Sequence, residues 1–429
     1  LDQLEDQLQA ANQNLKAAYA RLRQARDDTR VARADYWPML TGIASGTRAR
    51  VSPNSPDYRG FGPTEGSDFD LEADLSYEID LWGRVRNEVA AARSTQQASA
   101  ADLALIRLSL GAELATDYFQ LRSQDAQGEL LDQAVSDYQQ SLDLTQNLYD
   151  GGAAALTDVA QAQAQLANSR TQSADIKLQR AQSQHAIAVL LGENPTTYKL
   201  DSAPLTAQQL PPPIDAGLPS SLLERRPDVA EAERRVAAAN AQIGVARAAF
   251  FPKVEFDAAA GFNSVRTRDW IGAPSLFWSL GPQVSVPLFQ GGRLMAQSDK
   301  ARETYNEQVA TYRNTVLTAF QDVEDNLAAL RQLASESLTQ ADAIAATQVA
   351  LDQAQYRYKG GLVTYLEVST SETNALQARL SGVTIQTRRL DASVLLVKAL
   401  GGGWERPDRK PAPTADDRAA QRDLGSSPN

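Results

Sequence analysis

The 429-residue sequence carries 53 acidic against 42 basic side chains, one histidine and no cysteine, for a formal charge of −11. No disulfide scaffold, thiolate metal site or cysteine nucleophile is possible, and the lone His185, set in an Ala/Gln/Leu run, reads as an ordinary helix residue. The acidic balance argues against a nucleic-acid partner, whose footprint is basic.

Residues 1 to 35 predict a helix, opened by the apolar spacing Leu1, Leu4, Leu8 and free of glycine and proline until Pro38. A chain that starts in helical pattern without methionine or leader reads as a mature or trimmed start. The period then changes. Pro38 to Val51 predicts a strand, and Ser52 to Ser67, rich in Pro, Gly, Ser and Asn, a long loop. From Phe69 to Leu81 the alternation is strict. Phe69, Leu71, Ala73, Leu75, Tyr77, Ile79 and Leu81 share one face, while Asp70, Glu72, Asp74, Ser76, Glu78 and Asp80 share the other. This predicts a strand with one apolar and one acidic face.

Gly83 to Gly151 is a proline-free helical run, roughly 100 Å long at about 1.5 Å per residue. Ala153 to Leu191 returns as a shorter helix. Asn194 to Pro219 holds six prolines and predicts an extended linker. The series then repeats: a helix from Pro227 to Ala249, alternating strands around Val254–Phe262 and Leu276–Leu288, a long helix from Gly292 to Gly360, and a return from Leu362 to Leu400. The return helices are too short to match their partners, and the helices before each strand pair, Gln13–Asp35 and Pro227–Ala249, supply the missing length if stacked end to end with them. The charged, Pro/Ser-rich tail from Glu405 predicts disorder.

Self-similarity underlies that series. Gly83-Arg84 returns as Gly292-Arg293, Tyr149-Asp150-Gly151-Gly152 as Tyr358-Lys359-Gly360-Gly361, and Leu191-Gly192 as Leu400-Gly401; 292 − 83, 360 − 151 and 401 − 192 are all 209. Ala32 to Pro38 returns as Ala246 to Pro252 with an offset of 214, so a slip of five residues lies between Pro38 and Gly83. Rigid spacing of this kind suits paired helices, where one inserted residue rotates a packed seam by about 100°. The predicted organisation is a first repeat over 1–192 (β-hairpin 37–81, helical hairpin 84–192), a Pro-rich linker over 193–226, a second repeat over 227–404 (β-hairpin 252–289, helical hairpin 293–400) and a tail over 405–429.

No apolar stretch reaches the ~20 residues of a membrane helix; the best, Leu103 to Leu114, is broken by Arg107 and Glu113. Four strands are also too few to close a membrane barrel of at least about eight. Either the sheet packs on something soluble, or several chains close a barrel together. Trp37, Tyr77, Trp82, Phe251, Trp270, Phe277 and Trp278 lie at or beside the strands, as an interfacial aromatic girdle requires. A coiled-coil scaffold explains the helices but not four amphipathic strands. A periplasmic adaptor carries one helical hairpin rather than two equal halves. No Walker loop, nucleophile elbow, zinc-type histidine pair or dinucleotide fingerprint is present, so no catalytic residue, metal or cofactor is assigned.

Leu222-Leu223-Glu224-Arg225-Arg226-Pro227-Asp228-Val229, Ile243-Gly244-Val245-Ala246-Arg247-Ala248, Phe250-Phe251-Pro252, Gly281 to Phe289 with Gly291-Gly292-Arg293, and Ala399 to Trp404 together resemble the outer-membrane factor family. The likeness runs from Leu1 to Trp404 and favours the OprM/NodT-like branch over the TolC-like one. The resemblance implies a mainly α protein with a membrane β-barrel portion. It would be a homotrimer with a 12-stranded barrel shared by three chains, in contact with outer-membrane lipid and continued by a periplasmic α-helical tunnel. It implies the exit duct of a tripartite multidrug efflux system, working with a periplasmic adaptor and an inner-membrane pump, or alternatively the outer-membrane part of a type I secretion system. That branch usually bears a lipidated N-terminal cysteine, expected here on residues ahead of Leu1.

The same resemblance places a gate and adaptor-docking tips at the helical turns Gly151-Gly152 and Gly360-Gly361. Constriction positions correspond to Leu366, Glu367 and Thr370, the last standing where relatives carry aspartate. Tyr358 and Asp158 match positions that bond across hairpins in TolC-like members, and Val363 stands in place of an assisting arginine.

Overall fold

The structure is a computed structural model and describes residues 1–54, 64–205 and 225–404. The predicted tail 405–429, loop residues 55–63, and linker residues 206–224 with the Leu222–Glu224 start of the motif lie outside the described residues.

The elements follow as α1 (Asp2–Ala11), α2 (Gln13–Ala34), β1 (Met39–Arg50), β2 (Glu65–Glu78), α3 (Arg84–Asp150), α4 (Leu156–Leu190), α5 (Pro227–Ala248), β3 (Lys253–Ser264), β4 (Leu276–Ser285), α6 (Arg293–Lys359) and α7 (Tyr365–Ala399). Helices α3 and α6 have 67 residues each and α4 and α7 have 35 each, the equal lengths that the constant spacing predicts. Among the described residues no helix is long and apolar enough to cross a membrane.

The predicted helix over 1–35 is in fact two, because Asn12 leaves the helical conformation with ψ of 128°. Its side chain serves both neighbours. The amide donates to the Leu190 carbonyl at the end of α4 (2.7 Å), and Oδ1 accepts the Leu15 N–H of α2 (2.9 Å). Helix α2 therefore starts where α4 stops, with Asn12 satisfying one orphan group of each end. Arg226 stands at the equivalent break before α5. This buried guanidinium donates to the Ala399 carbonyl at the end of α7 (3.0 Å) and pairs with Asp228 (2.7 Å) and Asp322 (3.0 Å). The expected end-to-end stacking is thus present at the start of α2 and of α5. Backbone passes so closely there that a Cβ on Gly192 would lie 2.7 Å from the Ala11 oxygen, and one on Gly401 2.0 Å from the Arg225 oxygen. Around the first junction Leu8, Leu15, Leu110, Leu114, Leu121, Ile187, Leu190 and Leu191 form a core.

The strands make one antiparallel sheet in the order β1-β2-β3-β4, so the two predicted hairpins join through β2 and β3. Strand β2 ends at Glu78 and not at Leu81. The alternating pattern runs on, but Asp80 turns away to accept the N–H groups of Val85 (3.2 Å) and Arg86 (2.9 Å) and caps α3. Strand β4 stops at Ser285, short of the predicted Leu288, with Pro287 just beyond.

Register puts Leu40, Leu75, Ala258 and Leu280 in one row, and Ala44, Leu71, Phe262 and Leu276 in another, all on one face. Among the described residues that face is largely uncovered: Trp278 is 71% and Leu280 62% exposed. Asp70, Glu72, Asp74, Glu255 and Asp257 occupy the opposite face. Aromatic pairs mark both ends of the sheet. Trp82 stacks on Phe251 (4.7 Å) and donates to the Pro252 carbonyl near the helices, and Phe69 meets Trp270 (5.7 Å) at the loop end.

Packing does not follow the sequence repeat. One compact unit comprises 1–19, 101–230 and 314–429, the other 20–100 and 231–313, so each draws on both repeats.

Candidate functional site

Both helical hairpins reverse through the same backbone device. Gly152 (φ 75°) and Gly361 (φ 67°) sit in the left-handed region that glycine enters without steric cost. At the first turn Ala153 N–H bonds the Leu148 carbonyl (2.7 Å) and Gly152 N–H that of Tyr149 (2.9 Å). At the second, Leu362 bonds Arg357 (2.9 Å) and Gly361 bonds Tyr358 (2.9 Å). These are paired Schellman bonds that close the ends of α3 and α6. Gly151 and Gly360 have ordinary φ, so only the second glycine of each pair answers a conformational need.

Side chains around the two turns differ. Tyr358 is buried, donates or accepts a bond with the Thr145 hydroxyl of α3 (3.2 Å), and meets Tyr365 edge-on at 5.8 Å. Tyr365 is fully buried and packs with Ala162, Ala354 and Val368, flanked by Leu142, Leu144, Leu148 and Val363. This core brings α3, α4, α6 and α7 together near the hairpin ends. Gln165 of α4 adds a bond to Thr373 of α7 (2.9 Å).

The expected bond between Tyr358 and Asp158 is not made. Tyr358 is turned inward to Thr145, and Asp158 folds back on its own helix, where its carboxylate accepts the Ala155 N–H (3.3 Å). There the carboxylate satisfies an N–H at the start of α4 and lies at the favourable end of the helix dipole. Glu367, the equivalent acid of α7, pairs instead with Arg357 (2.6 Å) in the last turn of α6. Arg357 rather than position 363 therefore supplies the basic partner here. Leu366 is 57% exposed, and Thr370 is exposed, bonding back to the Leu366 carbonyl (2.8 Å).

One acid belongs to this site that the sequence reading passed over. Glu372 is only 5% exposed; its Oε1 accepts the Ser141 hydroxyl of α3 (2.9 Å), and its Oε2 has no partner. Burial, reinforced by the nearby Asp137 carboxylate, pushes its pKa up to about 7 against the bonds that favour its charged form. Burial raises the Tyr365 pKa as well. The signal was present in sequence. Tyr365, Val368, Glu372 and Ala375 are buried at spacings of three, four and three, an apolar seam with a carboxylate in it.

The hairpin ends thus bring together packed helix ends, an exposed leucine and threonine, an ion-paired Glu367 and a backbone-bonded Asp158. The model of the family described as "Outer membrane efflux protein" matches residues 4–193 and 218–402. The probable efflux pump outer membrane protein TtgC of Pseudomonas putida is 33% identical over 394 residues, 92% of this chain and 81% of the relative. The pyoverdine export outer membrane protein OpmQ of Pseudomonas aeruginosa is 32% identical over 409 residues, 94% of this chain and 85% of the relative. The solved outer-membrane channel OprN superposes with a TM-score of 0.88 at 29% identity, covering 95% of this chain and 90% of that one.

Proposed function

The chain belongs to the outer membrane efflux protein family, and from that premise we propose that three copies assemble into one duct through the outer membrane. Its members are non-enzymatic outer-membrane efflux channels, and this chain is such an exit duct.

The observation that carries the trimer is the sheet. Its apolar face is bare, and its edge strands β1 and β4 are free of partners among the described residues. Open strand edges do not stand in lipid. Three copies supply twelve strands, with β4 of one protomer pairing β1 of the next, the apolar face outward and the acidic face lining water. From Phe69 to Tyr77 the apolar band runs about 27 Å along β2, or roughly 21 Å across a bilayer at a tilt of ~40°, near the ~25 Å such barrels show.

The hairpin ends form the gate in this reading. Leu366 and Thr370 project into the bore, Glu367 is held by Arg357, and Tyr358 and Asp158 fix the helix ends through Thr145 and Ala155. The turns at Gly151-Gly152 and Gly360-Gly361 are the docking points for a periplasmic adaptor, which couples the duct to an inner-membrane pump exporting small toxic compounds. A duct of polar walls draws its energy from that pump.

Light scattering of detergent-solubilised protein tests the assembly, with three chain masses expected after subtracting detergent; a monodisperse monomer overturns it. Planar-bilayer recording tests the gate. Leu366→Ser raises conductance and Glu367→Lys weakens cation selectivity if these residues face the bore, and unchanged values in both variants remove the gate from this position.

A further inference from the structure

Helix α2 is basic in an acidic chain. It carries six basic and two acidic side chains although the whole sequence has a formal charge of −11, and its counterpart α5, also 22 residues long, carries three of each. Four of those cations share one face. Arg23, Arg26, Arg30 and Arg33 follow at spacings of three, four and three, and all four are exposed. At about 100° per residue they fall within an arc of about 80°. The 214-residue offset sets Ala237, Asn240, Gly244 and Arg247 in their places on α5, so the fold of a repeat does not require the row. Like charges at this spacing repel, and the helix dipole favours a cation only in the last turn, where Arg33 stands. Arg30 makes an exposed pair with Asp27 (2.8 Å), while Arg23, Arg26 and Arg33 have no hydrogen-bond or ion-pair partner among the described residues.

The row faces away from the space that the helices enclose. Leu22, Ala25 and Thr29 form the buried seam of α2, where Thr29 donates to the Ala92 carbonyl of α3 (3.2 Å). To one side of that seam Asp28, Val31 and Ala32 line a cavity shared with α3, α5 and α6. The arginines lie to the other side, on roughly the opposite face of the helix from the cavity at about 100° per residue. The row also runs up to the sheet. Arg33, Arg30 and Arg26 lie about 1.5, 6 and 12 Å along the axis from Ala34, the last residue of α2. Just beyond come Trp37 and Leu40, 76% and 70% exposed, where the uncovered apolar face begins.

A row of guanidinium groups that ends at an apolar, tryptophan-edged surface matches the phosphates of a membrane face. The headgroup layer is ~5–8 Å deep on each side of the hydrocarbon. With Trp37 at the hydrocarbon edge, Arg33 and Arg30 stand in or against that layer, and the long arginine side chain lets Arg26 reach toward it. We propose that Arg26, Arg30 and Arg33 bind the headgroups of anionic phospholipid in the periplasmic leaflet of the outer membrane. Two observations favour a lipid over an acidic protein. The row ends at the uncovered apolar face, and the one arginine that the second repeat keeps is the one nearest the sheet: the exposed Arg247 stands four residues before the exposed Phe251, as Arg33 does before Trp37. Position on the helix side of the sheet selects the periplasmic leaflet over the outer one. The inference rests on the reading that the apolar face meets lipid and the helices extend into the periplasm; three copies then carry three such rows.

Native mass spectrometry of the detergent-solubilised wild-type assembly tests it, with titrations of phosphatidylglycerol and of phosphatidylcholine bearing the same acyl chains. Wild type is expected to bind phosphatidylglycerol at least about tenfold more tightly than phosphatidylcholine. Arg26→Gln, Arg30→Gln and Arg33→Gln combined should remove most of that preference, whereas Arg26→Lys, Arg30→Lys and Arg33→Lys combined should keep it within about threefold of wild type. Arg21→Gln, Arg302→Gln and Arg313→Gln combined, the same charge removed from the cavity side of α2 and from α6, should change nothing. An unaffected glutamine variant, a lysine variant that falls as far as the glutamine one, or an equal loss from the control overturns the site. A wild-type trimer that extracts normally yet ignores headgroup charge overturns the site alone and leaves the row to an acidic protein. A wild type that forms no detergent-dependent trimer overturns the barrel reading and the site with it.

Discussion

The end of the α3–α4 hairpin and the end of the α6–α7 hairpin have the same backbone and opposite surroundings. Both turns place a left-handed glycine after a 67-residue helix and close it with the same pair of bonds. Yet Tyr149 and Leu156 are exposed at the first, while their equivalents Tyr358 and Tyr365 are buried at the second. Gln163 is exposed, and its equivalent Glu372 is buried. The comparison separates two causes. The turn is set by local sterics, which both repeats retain. Burial is set by which side chains face the inter-hairpin core, and at these equivalent positions only those of the second hairpin do.

The comparison breaks most visibly at the tyrosine. Tyr365→Ala should destabilise the hairpin end by about 3–5 kcal/mol through the cavity it leaves, and Leu156→Ala by no more than ~0.5 kcal/mol. Native-state hydrogen exchange of amides in 353–372 and 145–160 reads both; similar losses would mean the burial difference is energetically empty. Tyr365→Phe removes a buried hydroxyl that has no partner and should be neutral or stabilising.

The buried acid gives the next largest effect. Glu372 binds its proton more tightly in the folded chain (pKa about 7) than an ordinary glutamate does (4.5). Between those values the folded state holds the extra proton, so local stability falls as pH rises from about 4.5 to 7 and is level above that. The full span is on the order of 3 kcal/mol. Exchange protection corrected for the chemical rate should therefore drop across that window in wild type and stay flat in Glu372→Gln. Gln163→Glu, in water, should introduce no comparable slope. A wild-type profile without the drop would mean that the carboxylate is solvated.

The glycines should instead show the likeness. Gly152→Ala and Gly361→Ala each force a side chain into the left-handed region, at about 1–2 kcal/mol. Costs that differ by much more than that would show the backbones to be inequivalent. Smallest is the divergence of the acids. Arg357→Ala breaks a half-exposed pair and should cost at most ~1 kcal/mol, vanishing in high salt. Asp158→Ala loses a helix-end bond of similar size that salt should screen less. Exchange at the turn amides in low and high salt separates the two.

Much of this molecule was legible beforehand. The constant spacing foretold equal helix lengths, and the strict alternation in Phe69–Tyr77 foretold a sheet with one apolar and one acidic face. The misreadings share a cause. Asn12 looked like one more polar helix residue, Asp80 like one more acid in an alternating strand, and Asp158 like a latch. Each is claimed instead by an unpaired backbone group at a helix end, a demand that side-chain periodicity does not record. Glu372 was missed because its spacing marks a seam, while its burial depends on Ser141, 231 residues away.

The sequence by itself determined the two-fold repeat, the element types, the glycine turns and the two-faced strands. All of these are local, fixed by backbone sterics and by periods of 3.6 and 2 residues. Only the tertiary structure decided which of two equivalent turns is buried, that Tyr358 meets Thr145 rather than Asp158, and that Asn12 and Arg226 perform one junction with different chemistry. Those outcomes depend on which distant surfaces meet, and equivalent positions in the two repeats meet different neighbours.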